Sequence, residues 1–82
     1  MIKVLFFAQL RDQLGVSELS VSSDENPNVQ VLLNNLKNKD EQWEKLLSRA
    51  TLMVAVNQTI SNKTATLSSG DEVAFFPPVT GG

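Results

Sequence analysis

Glu72-Val73-Ala74-Phe75-Phe76-Pro77-Pro78-Val79-Thr80-Gly81-Gly82 closes the sequence, and its three parts ask for three different backbones. Residues 72–76 alternate as a strand does, with Val73 and Phe75 on one face and Phe76 on the other. Pro77 has no N–H and stops the hydrogen-bond ladder. Pro77 and Pro78 together stiffen the chain toward an extended, polyproline-like path. Glycine lacks a Cβ, so Gly81 and Gly82 can enter a channel too narrow for any side chain. A strand, a stiff stalk and a bare terminus present the Gly82 carboxylate outward, and the C-terminus is expected to be the active group.

The opening mirrors this strand. Ile2, Val4, Phe6 and Ala8 alternate with Lys3, Leu5 and Phe7, giving one fully apolar face. Ala8 to Leu14 reads as a short helical turn, with Leu10 and Leu14 four residues apart and Gly15 as its C-cap. Glu18 to Ser22 alternates again, which suggests a hairpin enlarged by the short helix. If the first and last strands are neighbours, their C-terminal ends share one edge of the sheet only when they run parallel.

Between these strands, Asn28 is a credible N-cap, followed by Val29, Leu32, Leu33 and Leu36 at i, i+3, i+4 and i+7. Trp43, Leu46, Leu47 and Ala50 repeat that spacing after Asp40. The two patterns are separate helices or one bent helix, and Lys37-Asn38-Lys39-Asp40 favours a break. Trp43 and Met53 both read as core. Residues 52–56 are apolar on both faces and belong inside a sheet or under a helix. Asn57-Gln58 signals a turn, with a short strand around Thr59–Ser61 pairing back. Leu67 anchors an otherwise polar stretch. The order β-β-α-(α)-β-(β)-β predicts an α+β roll with a helix on one face of a mixed sheet.

Composition removes whole classes of chemistry. The 82 residues include no cysteine, histidine or tyrosine, so there is no thiol nucleophile, no imidazole base and no usual zinc or iron–sulfur ligand. The carboxylates Asp12, Glu18, Asp24, Glu25, Asp40, Glu41, Glu44, Asp71 and Glu72 are scattered and read as solvated surface. A chain this short buries roughly 60–65% of its unfolded surface, which leaves no room for a deep cofactor cavity. The net charge of −2 and the lack of a basic stripe argue against nucleic acid as a partner. No run approaches the roughly 20 apolar residues of a membrane span, and no signal peptide is apparent. A cytoplasmic protein that touches neither membrane nor nucleic acid is expected.

The segments 2–8, 55–58 and 70–82 together resemble the small subunit of molybdopterin synthase, the sulfur carrier of the β-grasp family. The resemblance runs the length of the chain, and Gly-Asp-Glu-Val followed by Pro-Pro-Val-Thr-Gly-Gly is its most specific part. It implies a ubiquitin-like β-grasp domain over residues 1–77, with residues 78–82 as an extended tail. It also implies that a ubiquitin-activating-type adenylyltransferase uses ATP to adenylate Gly82. A sulfur donor protein then supplies sulfur, and a thiocarboxylate forms. The tail enters the large synthase subunit and delivers sulfur to cyclic pyranopterin monophosphate, building the dithiolene of molybdopterin within a heterotetramer. On this resemblance the chain binds no cofactor itself and is not catalytic alone.

The site residues expected are therefore Gly82 as carrier, Gly81, Thr80, Val79, Pro78 and Pro77 as tail, and Phe7, Phe76, Ile60 and Arg11 as partner interface. Phe7 and Phe76 lie opposite the core faces of their strands and form an apolar pair at the root of the tail, unless a loop covers that face. Ile60 would extend this patch and Arg11 would supply a polar rim. Val79–Gly82 has no side chain large enough to pack on its own domain, so a mobile tail is expected in the free protein. Three other functions stand beside it: a ubiquitin-like modifier joined to lysines, a thiamine-pathway sulfur carrier, and a simple interaction module whose tail is incidental. The Phe-Phe-Pro-Pro-Val-Thr run speaks against the second.

Overall fold

The computed structural model describes residues 1–78. Its strands are β1 (Ile2–Phe6), β2 (Glu18–Val21), β3 (Met53–Val56), β4 (Thr59–Ser61) and β5 (Glu72–Phe76). Its helices are α1 (Ala8–Leu14), α2 (Val29–Lys37) and α3 (Glu41–Leu47). The sheet order is β2-β1-β5-β3-β4, with β1 and β5 parallel at the centre and the other pairs antiparallel. This is the mixed sheet and one-sided helical cover of a ubiquitin-like β-grasp.

Alternation decides which face is covered. In β1 the odd-and-even pattern places Ile2, Val4 and Phe6 in the core, while Lys3 is exposed and Leu5 half-buried. Val73 and Phe75 of β5 stand in register with Val4 and Phe6. Val54 of β3 stands opposite Phe75. The stripe Val29, Leu32, Leu33 and Leu36 of α2, with Trp43, Leu46 and Leu47 of α3, closes over that face. Phe6 is its hub. Its ring meets Trp43 edge-on at 5.6 Å and lies stacked near Phe75 at 6.1 Å, contacts worth about 0.5–1.5 kcal/mol each beyond area burial. Trp43 is thus a core residue, as its spacing predicts.

The helical region is two helices. Asn38 closes α2, and Asp40 sits in extended backbone (φ −167°) with its carboxylate accepting from the Trp43 N–H at 2.9 Å. Asn28 caps α2 the same way, accepting from the Val31 N–H at 2.9 Å. α1 ends at Gly15, whose φ of 74° is the left-handed stop its type allows. The Asn57-Gln58 turn has positive φ at both residues, 50° and 68°, as a tight two-residue hairpin requires.

One expectation changes. Met53 is not core: β3 pairs it with Phe76 on the uncovered face, and only Val54 and Val56 turn toward the helices. Residues apolar on both sides do not reveal which way a strand faces. β3 is apolar on both faces because it lies between β5 and β4, where Val54 and Ala55 are buried on opposite sides.

At the end of the sheet away from the tail, a small network fixes the start of β5. Asn57 Nδ2 donates to Asp71 Oδ1 at 3.0 Å, and the Glu72 N–H donates to Asn57 Oδ1 at 3.0 Å. The Ser68 N–H donates to Asp71 Oδ2 at 2.8 Å. The Asn57 amide first, and the Ser68 N–H second, hold the Asp71 carboxyl below its usual range.

Candidate functional site

The uncovered sheet face leads directly to the tail. Strand register sets its rows. Leu5, Ala74, Ala55 and Ile60 lie side by side across four strands. Phe76 and Met53 form the next row toward the tail. Phe7 joins it: its backbone is extended (φ −122°, ψ 160°) and its N–H donates to the Phe75 carbonyl at 3.2 Å, so the parallel ladder continues one residue past β1. Lys3 and Glu72, in register on the far side, bound the apolar rows.

Exposure separates these residues from the core. Phe7 is 44% and Ile60 60% exposed, while Phe76 and Met53 are half-buried. Met1, Phe7 and Ile60 are the large apolar side chains left exposed among the described residues, and two of the three share this face. No helix covers it. A contiguous apolar face of this kind is the candidate docking surface.

The turn after Phe7 keeps the ring there. Ala8 takes φ 57°, a left-handed backbone that costs a residue with a Cβ about 1–2 kcal/mol. It swings α1 onto the core side, and Phe7 stays with Phe76. Arg11 lies one turn into α1, its N–H donating to the Phe7 carbonyl at 3.4 Å. Its guanidinium Nε stands 3.6 Å from Asp12 Oδ1, an exposed pair of small energetic weight.

The tail leaves from the same edge. Pro77 is half-buried and Pro78 exposed, and both line a groove with Leu10 of α1, Leu46 of α3, Arg49 and Leu52. Val79, Thr80, Gly81 and Gly82 lie outside the described residues, as does most of the expected 78–82 tail. The structure therefore places Phe7 and Phe76 beside the base of the stalk, with Ile60 on the same face two strands away on β4 and Arg11 one helical turn from Phe7. Met53 and Ala74 belong to the same face and were not among the expected interface residues, and Leu5 joins them on the face that its alternation with Phe7 gives it. The alternation of Met53 and Ala55 against Val54 and Val56 holds that signal, but only the pairing of β3 with β5 orients it.

The sequence profile of the ThiS family matches residues 4–82. The chain belongs to the ThiS family. Among its relatives, a molybdopterin synthase sulfur carrier subunit from Escherichia coli K12 is 46% identical over 82 residues, covering all of both chains. A protein of the same name from Haemophilus influenzae is 40% identical over 82 residues, again covering all of both. Among solved structures, the small archaeal modifier protein 1 from Methanosarcina acetivorans is similar to this ThiS-family chain. Its TM-score is 0.79 at 25% identity, covering 99% of this chain and 95% of that one. No described helix of this ThiS-family member is long and apolar enough to cross a membrane.

Proposed function

We propose that this chain is the sulfur-carrier subunit of a molybdopterin synthase, with Gly82 as the group that carries sulfur. The observation that carries the proposal is the end-to-end similarity, at 46% and 40% identity, to two proteins of that name. The apolar face at the root of the tail supports it, because a carrier that hands over its terminus must also dock.

The chemistry follows from the carboxylate. Free, it is a poor electrophile. Attack of one of its oxygens on the α-phosphorus of ATP expels pyrophosphate and gives an acyl-adenylate with AMP as leaving group. The outer sulfur of a donor-protein persulfide then displaces AMP to give an acyl disulfide, and a second thiol attacks the donor-side sulfur, forming a disulfide and releasing the thiocarboxylate on Gly82. This step belongs to an adenylyltransferase of the ubiquitin-activating type, so ATP is that partner's substrate and this chain holds no cofactor. The thiocarboxylate sulfur is a soft nucleophile on a tether, which raises its effective concentration at the partner's site. The large synthase subunit receives it and passes the sulfur to cyclic pyranopterin monophosphate. Phe7, Phe76, Ile60 and Met53 form the docking face, and Arg11 its polar edge.

The similarity to a named archaeal modifier favours one second function, attachment of Gly82 to lysines of other proteins. Intact-mass analysis of the chain from molybdopterin-producing cells separates the two. The carrier predicts a fraction heavier by the sulfur-for-oxygen difference, mapped to Gly82. Lysine conjugates without that fraction would replace the proposal with the modifier function. A chain carrying one extra alanine after Gly82 should deliver no sulfur while keeping its fold, because the reactive carbon would sit at the wrong depth.

A further inference from the structure

We infer that the groove at the root of the tail is a second contact site for the large subunit, one that receives an apolar side chain flanked by a carboxylate. The inference rests on the proposed function and adds a partner contact to it. Its floor is Leu10, Leu46 and Leu52, its wall is Pro77 and Pro78, and Arg49 stands on its rim.

The length of the tail forces contact here. Val79, Thr80, Gly81 and Gly82 separate Pro78 from the group proposed to react by at most about 13 Å of extended chain. A partner that takes Gly82 into an enclosed site has that distance and no more between its reacting centre and Pro78. The mouth of that site must close down on the base of the stalk. The base of the stalk is one wall of the groove, and Phe76, immediately before it, belongs to the docking face. The groove lies on the helix side of the stalk and the face on its other side, so a mouth that encloses the stalk touches both.

Charge indicates what enters. The ion pair found among the described residues is Arg11 with Asp12, so the exposed Arg49 guanidinium has no carboxylate beside it there. Its planar fork suits bidentate contact with a carboxylate. Closing a mouth over it without a partner would strip water from a cation, which is costly. A partner carboxylate at the rim removes that cost, and an apolar neighbour fills the leucine floor.

Calorimetric titration of the full-length chain into the purified large subunit tests this, using the unaltered chain, Arg49→Glu, Arg49→Gln and Phe76→Arg. Arg49→Glu should weaken binding about tenfold or more at low salt, with its thermal midpoint unchanged because the side chain is exposed. Arg49→Gln should show a shallower salt dependence than the unaltered chain. Wild-type affinity for Arg49→Glu would overturn the inference. Full affinity for Phe76→Arg would instead remove the docking face while leaving the groove contact standing if Arg49→Glu still fails. A large subunit that ignores the unaltered chain would overturn the proposed function itself. Truncation after Pro78 with the new terminus amidated, so that no added carboxylate stands at the groove, supplies the control for self-occupancy. If the Arg49 side-chain resonances of the free protein shift on truncation, the groove holds the chain's own tail, and the inference falls.

Discussion

Phe6 and Phe7 are adjacent in sequence and opposite in consequence. Phe6 is fully buried between Trp43 and Phe75, whereas Phe7 faces solvent beside Phe76. Phe6→Ala should cost about 3–5 kcal/mol of stability, since it opens a cavity in a small core. Phe7→Ala should leave the denaturation midpoint nearly unchanged and weaken binding to the large subunit by about 2 kcal/mol, as truncating an interface anchor does. Chemical denaturation of both variants, with titration of the second, checks the pair; equal destabilisation would place Phe7 in the core. Asp71 makes a prediction about acid. Its carboxyl titrates below its usual value of 3.8 in the folded chain, so its contribution is present above that pH and is lost as pH falls through the lowered value. Asp71→Asn should therefore flatten the acid limb of a melting-temperature profile below about pH 4 and lower stability near neutrality.

At the scale of the element, the break between α2 and α3 depends on one side chain. Asp40 satisfies the Trp43 N–H, and Asp40→Ala should cost about 1 kcal/mol in a urea titration. Asp40→Asn or Asp40→Ser should recover most of that loss. These elements were legible in the sequence because each carries its own signal. Asn28 is a cap, Gly15 is a stop and Asn57-Gln58 is a tight turn, all acting within a few residues of themselves, while Asp40 showed in the sequence only as part of the break and its cap is seen in the structure. The alternation of β1 and β5 likewise exposed Phe7 and Phe76 as outward residues. Met53 was not legible, because a four-residue strand with apolar side chains on both faces has no local phase. Ile60 needed partners for the same reason: its place beside Ala55 and Ala74 is a property of the sheet. The rim groove was invisible in sequence, since Leu10, Leu46 and Leu52 meet only after three elements have packed.

For the whole molecule, docking and delivery are expected to be separable functions. The proposed docking face belongs to the folded domain, while Val79–Gly82 carries the group that the proposed function delivers. A chain truncated after Pro78 should bind the large subunit and fail to supply sulfur. It should also compete with the full-length chain in a synthesis assay. Loss of all binding on truncation would show that the tail, rather than the face, holds the complex together.

The central pairing of β1 with β5 has a mechanical meaning. These strands run parallel, so Met1 and Pro77 lie at opposite ends of the domain, and Lys3 to Phe6 are laced to Glu72 to Phe75 along their length. Traction on the stalk against the N-terminus loads that lacing in shear, where its bonds resist together, instead of peeling them one at a time. A partner that grips the tail and tugs would therefore slide the stalk out of its own site before it unravelled the domain. The same geometry makes the C-terminal end a poor starting point for an unfoldase, although it is the end that the proposed function hands over.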